Sequence, residues 1–117
     1  MPRVYLTGPM TGIKDFNRPV FRQAADALRK KGFDVVSPDD LDNQDPATCT
    51  TWIEFLKRDI PWLLQCEMVV VLPGWRASKG SCLELTIANS LEIPVFEYKT
   101  MKPIPAESLP RVLVGVS

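Results

Sequence analysis

The sequence predicts a doubly wound α/β domain built on a parallel sheet. Strand-like and helix-like segments alternate along the chain, an order that calls for right-handed crossovers with helices on both faces of the sheet. The run Met68-Val69-Val70-Val71-Leu72 is apolar at every position, which suits a strand buried on both faces rather than one with a wet side. The 117 residues fit one core, so a single domain over residues 1–117 is expected.

Each element follows from local pattern. Val4-Tyr5-Leu6-Thr7 is a short β-prone run closed by Gly8-Pro9, and residues 8–17 form a loop. From Pro19 the apolar residues Val20, Phe21, Ala24, Ala25 and Leu28 recur at helical spacing, with Asn17 as the candidate N-cap. Lys30-Lys31-Gly32 ends that helix, placing cations at its negative end and glycine just beyond. Phe33 to Val36 is a second strand, and residues 37–50, rich in Pro, Asp, Asn and Thr, read as loop. Thr51 caps a helix from Trp52 to Gln65, with Glu54 at the capping-box position. Pro61 either kinks this helix or restarts it with Asp59 as a new cap. After the central strand come a loop over 73–80, a helix over 81–91 and a strand at Pro94-Val95-Phe96. Val112-Leu113-Val114 offers a fifth strand, so the sheet has four or five.

Composition narrows the chemistry. Acidic and basic residues balance at 14 each, which argues against broad binding to nucleic acid. No apolar run approaches the roughly 20 residues that span a membrane, and no signal peptide is expected. Three cysteines, Cys49, Cys66 and Cys82, cannot all pair internally, which suits a reduced, cytoplasmic setting. Histidine is absent, removing the commonest general base and metal ligand, so no metal or cofactor is expected. Catalysis would fall to carboxylates, hydroxyls, thiols, amines or tyrosine.

In doubly wound sheets ligands bind beyond the carboxyl ends of the strands, which directs attention to the loops at 8–17, 37–50 and 73–80. Tyr5-x-x-Gly8-Pro9-Met10-x-Gly12 lets backbone approach a ligand, and reads equally as a plain βα turn. Gly74-Trp75-x-x-Ser78-Lys79-Gly80-Ser81-x-x-Glu84 opens a helix whose free N–H groups, hydroxyls and lysine would favour a phosphate. It is neither a dinucleotide fingerprint nor a Walker loop. Glu84 alone could be a dipole partner at the helix start, and Asp59 a solvated acid or cap. Trp75, in a loop, is a better base-stacking candidate than Trp52 or Trp62, which suit core or interface. Cys82, near a helix start, could be a depressed thiol or a small hydrophobe.

Taken in order, these pieces resemble the nucleoside 2-deoxyribosyltransferase superfamily, in particular a branch of small bacterial and phage proteins related to the 2′-deoxynucleoside 5′-phosphate N-hydrolases. The resemblance covers Val4 to Phe96. It rests on Tyr5-Leu6-Thr7-Gly8-Pro9-Met10-Thr11-Gly12, Phe16-Asn17-x-x-x-Phe21, Leu56-x-x-Asp59 and Leu72-Pro73-Gly74-Trp75-x-x-Ser78-x-Gly80-x-x-x-Glu84-x-x-x-Ala88. It implies a flavodoxin-like, Rossmann-like three-layer sandwich and the cleavage or exchange of an N-glycosidic bond. Glu84 matches the nucleophile, and Asp59 a second catalytic carboxylate. Ser78 stands where the hydrolases bind phosphate, and Tyr5 and Gly8 where the sugar pocket lies. Pro9, Met10, Asn17, Trp75, Gly80 and Ser81 complete the expected substrate contacts. Two positions depart from the pattern: Cys66-Glu67 replaces an aspartate before the central strand, and Leu85-Thr86 lacks a glycine two residues after the glutamate. A small nucleoside or nucleotide is the expected partner, and the resemblance implies a homo-oligomer. Two rivals stay open: a nucleotide-binding sensor without turnover, and a flavin-binding electron carrier.

Overall fold

A computed structural model describes residues 1–44 and 51–112. Four parallel strands form one sheet in the order β2-β1-β3-β4: β1 Arg3–Thr7, β2 Asp34–Val36, β3 Met68–Val71 and β4 Val95–Glu97. Helices α1 Arg18–Lys30, α2 Pro38–Gln44, α3 Trp52–Leu63 and α4 Lys79–Ser90 connect them. This is the flavodoxin-like order, and its switch point falls between β1 and β3.

Strand periodicity of two sorts the central residues into layers. Val4 and Leu6 join Val70 and Leu72 against Phe21, Ala24, Ala25 and Leu28 of α1. Tyr5, Val69 and Val71 face the other way, against Leu63 of α3 and Leu85 and Ala88 of α4. The buried stripe of α1 follows the i, i+3, i+4, i+7 pattern. Val20 was expected in that stripe but is 40% exposed, because it lies one residue, about 100°, off the row.

The structure corrects several expectations. Asn17 occupies the N-cap position of α1 but does not cap it with its side chain. Its backbone is left-handed at φ 60°, it makes no capping bond, and its side-chain amide instead donates to the Pro9 carbonyl at 2.9 Å. The segment expected as loop after β2 holds α2, with Pro38 at its start and Asp39 and Asp40 in its first turn, both favourable at a helix N-terminus. Helix α3 runs through Pro61 without a restart, so Asp59 is an interior residue and not a cap. The Thr51 cap forms as expected, its hydroxyl oxygen accepting the Glu54 N–H at 3.2 Å. Helix α4 begins two residues before the expected start, because Ser78 is the cap and accepts the Ser81 N–H at 3.1 Å. Beyond β4 the chain turns back in an antiparallel bridge between Phe96 and Pro103. Of the expected fifth strand, Val112 is in no strand, and residues 113–114 lie outside the described residues, as does Cys49. No helix among the described residues is long and apolar enough to cross a membrane.

Candidate active site

The parallel register sets Thr7 beside Val71 at the carboxyl ends of β1 and β3. Tyr5 and Thr7, two residues apart, point to the same face, the one covered by α4. There they meet Glu84, the sixth residue of α4. The Tyr5 hydroxyl donates to Glu84 Oε2, and the Thr7 hydroxyl donates to Oε1 at 2.7 Å. Ser81, three residues before Glu84 and so on the same face of α4, bonds Thr7 Oγ1 through its own hydroxyl at 2.9 Å. All four side chains are buried, Glu84 to 6% exposure.

Burial dominates the electrostatics. It pushes the Glu84 carboxyl up to about 7; the Tyr5 and Thr7 hydrogen bonds pull the other way, and the charge of Asp59 adds to the rise. Tyr5 is raised well above the ordinary phenol value, by burial first and then by the negative charges of Glu84 and Asp59. Asp59 lies one turn before Leu63 on the buried face of α3. Its carboxyl is raised by burial, against the lowering effect of Arg58, whose Nε donates to Asp59 Oδ1 at 2.6 Å. Arg58 also pairs with Asp42 of α2 at 2.6 Å. Burial works against the Arg58 charge, but the two carboxylates outweigh it and hold the guanidinium protonated.

Tyr5, Ser81 and Glu84 are thus brought into contact, with Asp59 close enough for its charge to be felt by both Tyr5 and Glu84. Ser78 joins them through the Ser81 cap bond. Other expected contacts have packing partners of their own. A Cβ on Gly8 would stand 2.7 Å from Leu72 Cβ, so this glycine is bare to let β1 pack against β3. Met10 packs on the α1 side of the sheet, and Asn17 clips its own loop to Pro9. Pro9 meets the loop after β3, where a Cβ on Gly74 would lie 3.4 Å from its Cγ.

Trp75 lies mostly within the core. It is 6% exposed, packed among the core residues around Tyr5 and Leu85, with the Arg76 guanidinium 4.3 Å from its ring centroid. Trp52 is exposed at 41%, beside Gly80, with the Lys79 ammonium 4.1 Å over its ring. Lys79 is therefore engaged with an aromatic face. Cys66, in place of the aspartate expected before β3, is buried, donates to the Trp62 carbonyl at 3.3 Å, and has its thiol pushed up to about 11 by burial. Cys82 is partly buried against the core and its thiol lies 3.5 Å from the Arg76 carbonyl, as a small packing residue would. A cavity of about 480 Å³ opens among residues 72–77, Glu97 and Lys99; Tyr5, Asp59 and Glu84 are not among its walls.

Sequence reasoning did not single out Thr7 and Arg58, which the fold brings to the carboxylate cluster. The signal for Thr7 was its two-residue spacing from Tyr5, and for Arg58 its adjacency to a carboxylate on a helix.

The family described as a domain of unknown function, DUF4406, matches residues 2–97, which spans every strand and the whole carboxylate cluster. The chain belongs to the DUF4406 family. No curated protein matches it. Among solved structures, this DUF4406 domain resembles the 2-deoxyribosyltransferase of the psychrotolerant bacterium Bacillus psychrosaccharolyticus, with a TM-score of 0.64 and 22% identity over 81% of this chain and 70% of that one. That protein is described as a biocatalyst for synthesis of antiviral and antitumoral nucleosides. At this identity the likeness establishes a shared fold.

Proposed function

We propose that this DUF4406 protein cleaves or exchanges the N-glycosidic bond of a nucleoside or nucleoside 5′-monophosphate, with Glu84 as nucleophile and Asp59 as proton donor. The carrying observation is the buried Glu84 carboxylate, held on both oxygens by Tyr5 and Thr7 at the carboxyl ends of the parallel strands. Support comes also from the fold shared with a nucleoside-processing enzyme.

The chemistry balances without histidine. A Glu84 oxygen forms a bond to the anomeric carbon as the carbon–nitrogen bond breaks, and its electron pair leaves with the base. Asp59, whose carboxyl burial raises against the pull of Arg58, is the group proposed to supply the proton the base needs. Water or a second base then attacks the anomeric carbon, gives its proton to Asp59 and frees Glu84, in the manner of a retaining glycosidase. The two hydroxyls on Glu84 hold it in one orientation, so little ordering is left for the reaction itself.

For the 5′ end of the ligand, the start of α4 is the proposed phosphate seat. The N–H groups of Lys79 and Gly80 and the Ser78 hydroxyl hydrogen lie there, next to Ser81 and the carboxylate cluster. We further propose a homo-oligomer, supported by Trp52, Ile53, Trp62 and Leu64, which expose apolar surface along and just beyond α3. Light scattering on the purified protein tests this, and a monomeric mass would refute it.

The experiment for the activity is incubation with a panel of nucleosides and their 5′-monophosphates, with free base measured by chromatography. Base release from at least one member is expected. Binding without release would favour the sensor, and a yellow chromophore in the purified protein the electron carrier.

A further inference from the structure

We infer that Thr7 and Ser81 form a positioning pair that sets the charge state and orientation of Glu84. The inference rests on Glu84 being the reacting carboxylate.

Proton counting gives the pair a direction. An ionised carboxylate can only accept, so the single hydroxyl proton of Thr7 is committed to Glu84 Oε1 at 2.7 Å. The 2.9 Å contact between Thr7 Oγ1 and Ser81 Oγ must then be filled by the Ser81 proton. The chain runs from Ser81 to Thr7 to Glu84, and each proton points towards the developing site. Thr7 and Ser81 are both 1% exposed, so no water competes for these groups, and a donor in such surroundings counts for more than one in solvent. The backbone fixes both ends. Thr7 is locked by strand register beside Val71, and Ser81 is locked in the first turn of α4, where its N–H is tied to Ser78. Tyr5 holds the other carboxylate oxygen. Removing the Thr7 hydroxyl would leave Oε1 buried without a donor, which disfavours the charged form that must attack carbon.

Among the described residues, the other titratable groups that act on Glu84 are Tyr5 from β1 and Asp59 from α3, and Arg58 acts on both of these. None is altered by substitution at Thr7 or Ser81, so a change in Glu84 titration reads the pair.

The test is a carboxyl carbon NMR titration of the ligand-free protein, with the Glu84 signal assigned by its loss in Glu84→Gln. Thr7→Val should raise the Glu84 midpoint by about one pH unit or more, since hydrogen bonds to charged groups are worth roughly that. Thr7→Ser should restore it, and Ser81→Ala should move it upward by less. The acid limb of kcat/KM should move by the same amount, with kcat falling and KM held. Thr7→Ala gives the same readout if the valine variant fails to fold. An unmoved midpoint in a folded Thr7→Val or Thr7→Ala protein overturns the inference. A moved midpoint upholds the pair's hold on the carboxylate, even if Glu84→Gln still releases base; in that case it is the proposed function that fails.

Discussion

At the scale of single residues, the site is a carboxylate made unusual by where it is kept. A solvent-exposed glutamate would be a fully ionised, well-hydrated and poor nucleophile. Burial strips that hydration from Glu84, and the hydroxyls of Tyr5 and Thr7 replace part of it with fixed donors. Glu84→Gln keeps the shape and removes the charge. It should abolish base release in the chromatographic assay while leaving the far-ultraviolet circular dichroism spectrum unchanged; activity within about tenfold of the parent, roughly 1.4 kcal/mol of barrier, would exclude a covalent role. Gly8→Ala should destabilise the fold, because the added Cβ would stand 2.7 Å from Leu72 Cβ, in a central strand end that cannot move aside cheaply. A drop of about 1–3 kcal/mol in urea unfolding is expected, as for other overpacked cores. Tyr5, Glu84 and Asp59 were legible as candidates because their types and order carry a family pattern, and the fold brings them close together. The burial of Trp75 was not legible, because sequence shows that a tryptophan lies in a loop but not which face the core covers.

Among the elements, strand and helix order was readable wherever apolar spacing was regular, as in β3 and α1. Helix α2 was hidden because Pro, Asp and Asn suggest a loop by composition, although Ser37-Pro38-Asp39-Asp40 is also a helix-start pattern. The start of α4 was misplaced for a related reason. Gly80 looks like a break, yet it sits in the first turn, with Trp52 against it. The true cap, Ser78, gives a clean separation of stability from binding. Aspartate caps a helix about as well as serine, so Ser78→Asp should hold the melting temperature, whereas Ser78→Ala should lose about 1 kcal/mol. Ser78→Asp also places a carboxylate where the 5′-phosphate is proposed to sit. The parent should therefore bind a deoxynucleoside 5′-monophosphate about tenfold or more better than the nucleoside, and the variant should not. Calorimetric titration with the paired ligands measures this; equal affinity of the parent for both would remove the phosphate from α4.

The whole molecule carries the cost of holding a carboxylate this way, and its sign is fixed by linkage. Glu84 titrates near 7 in the fold against an ordinary value of 4.5, so the folded state binds the proton more tightly than the unfolded chain does. Below pH 4.5 both states are protonated and the site costs nothing in ionisation. Between 4.5 and 7 the unfolded chain releases its proton while the fold keeps it, and stability falls as pH rises. Above 7 both are ionised and the difference is constant. The full span corresponds to roughly 3 kcal/mol, a large share of the stability of a domain this size. Asp59, also raised by burial, contributes in the same direction. Carboxylates in surface ion pairs, such as Asp34 with Arg3, are the same in parent and variant and drop out of a difference. The measurement is urea unfolding of parent and Glu84→Gln across pH 4 to 8. The variant should gain on the parent progressively through that window, by about 3 kcal/mol by its upper end, and the gain should flatten above pH 7. A pH-independent difference between the two proteins would mean that Glu84 ionises as easily in the fold as out of it, and that burial at the ends of β1 and β3 does not set its charge.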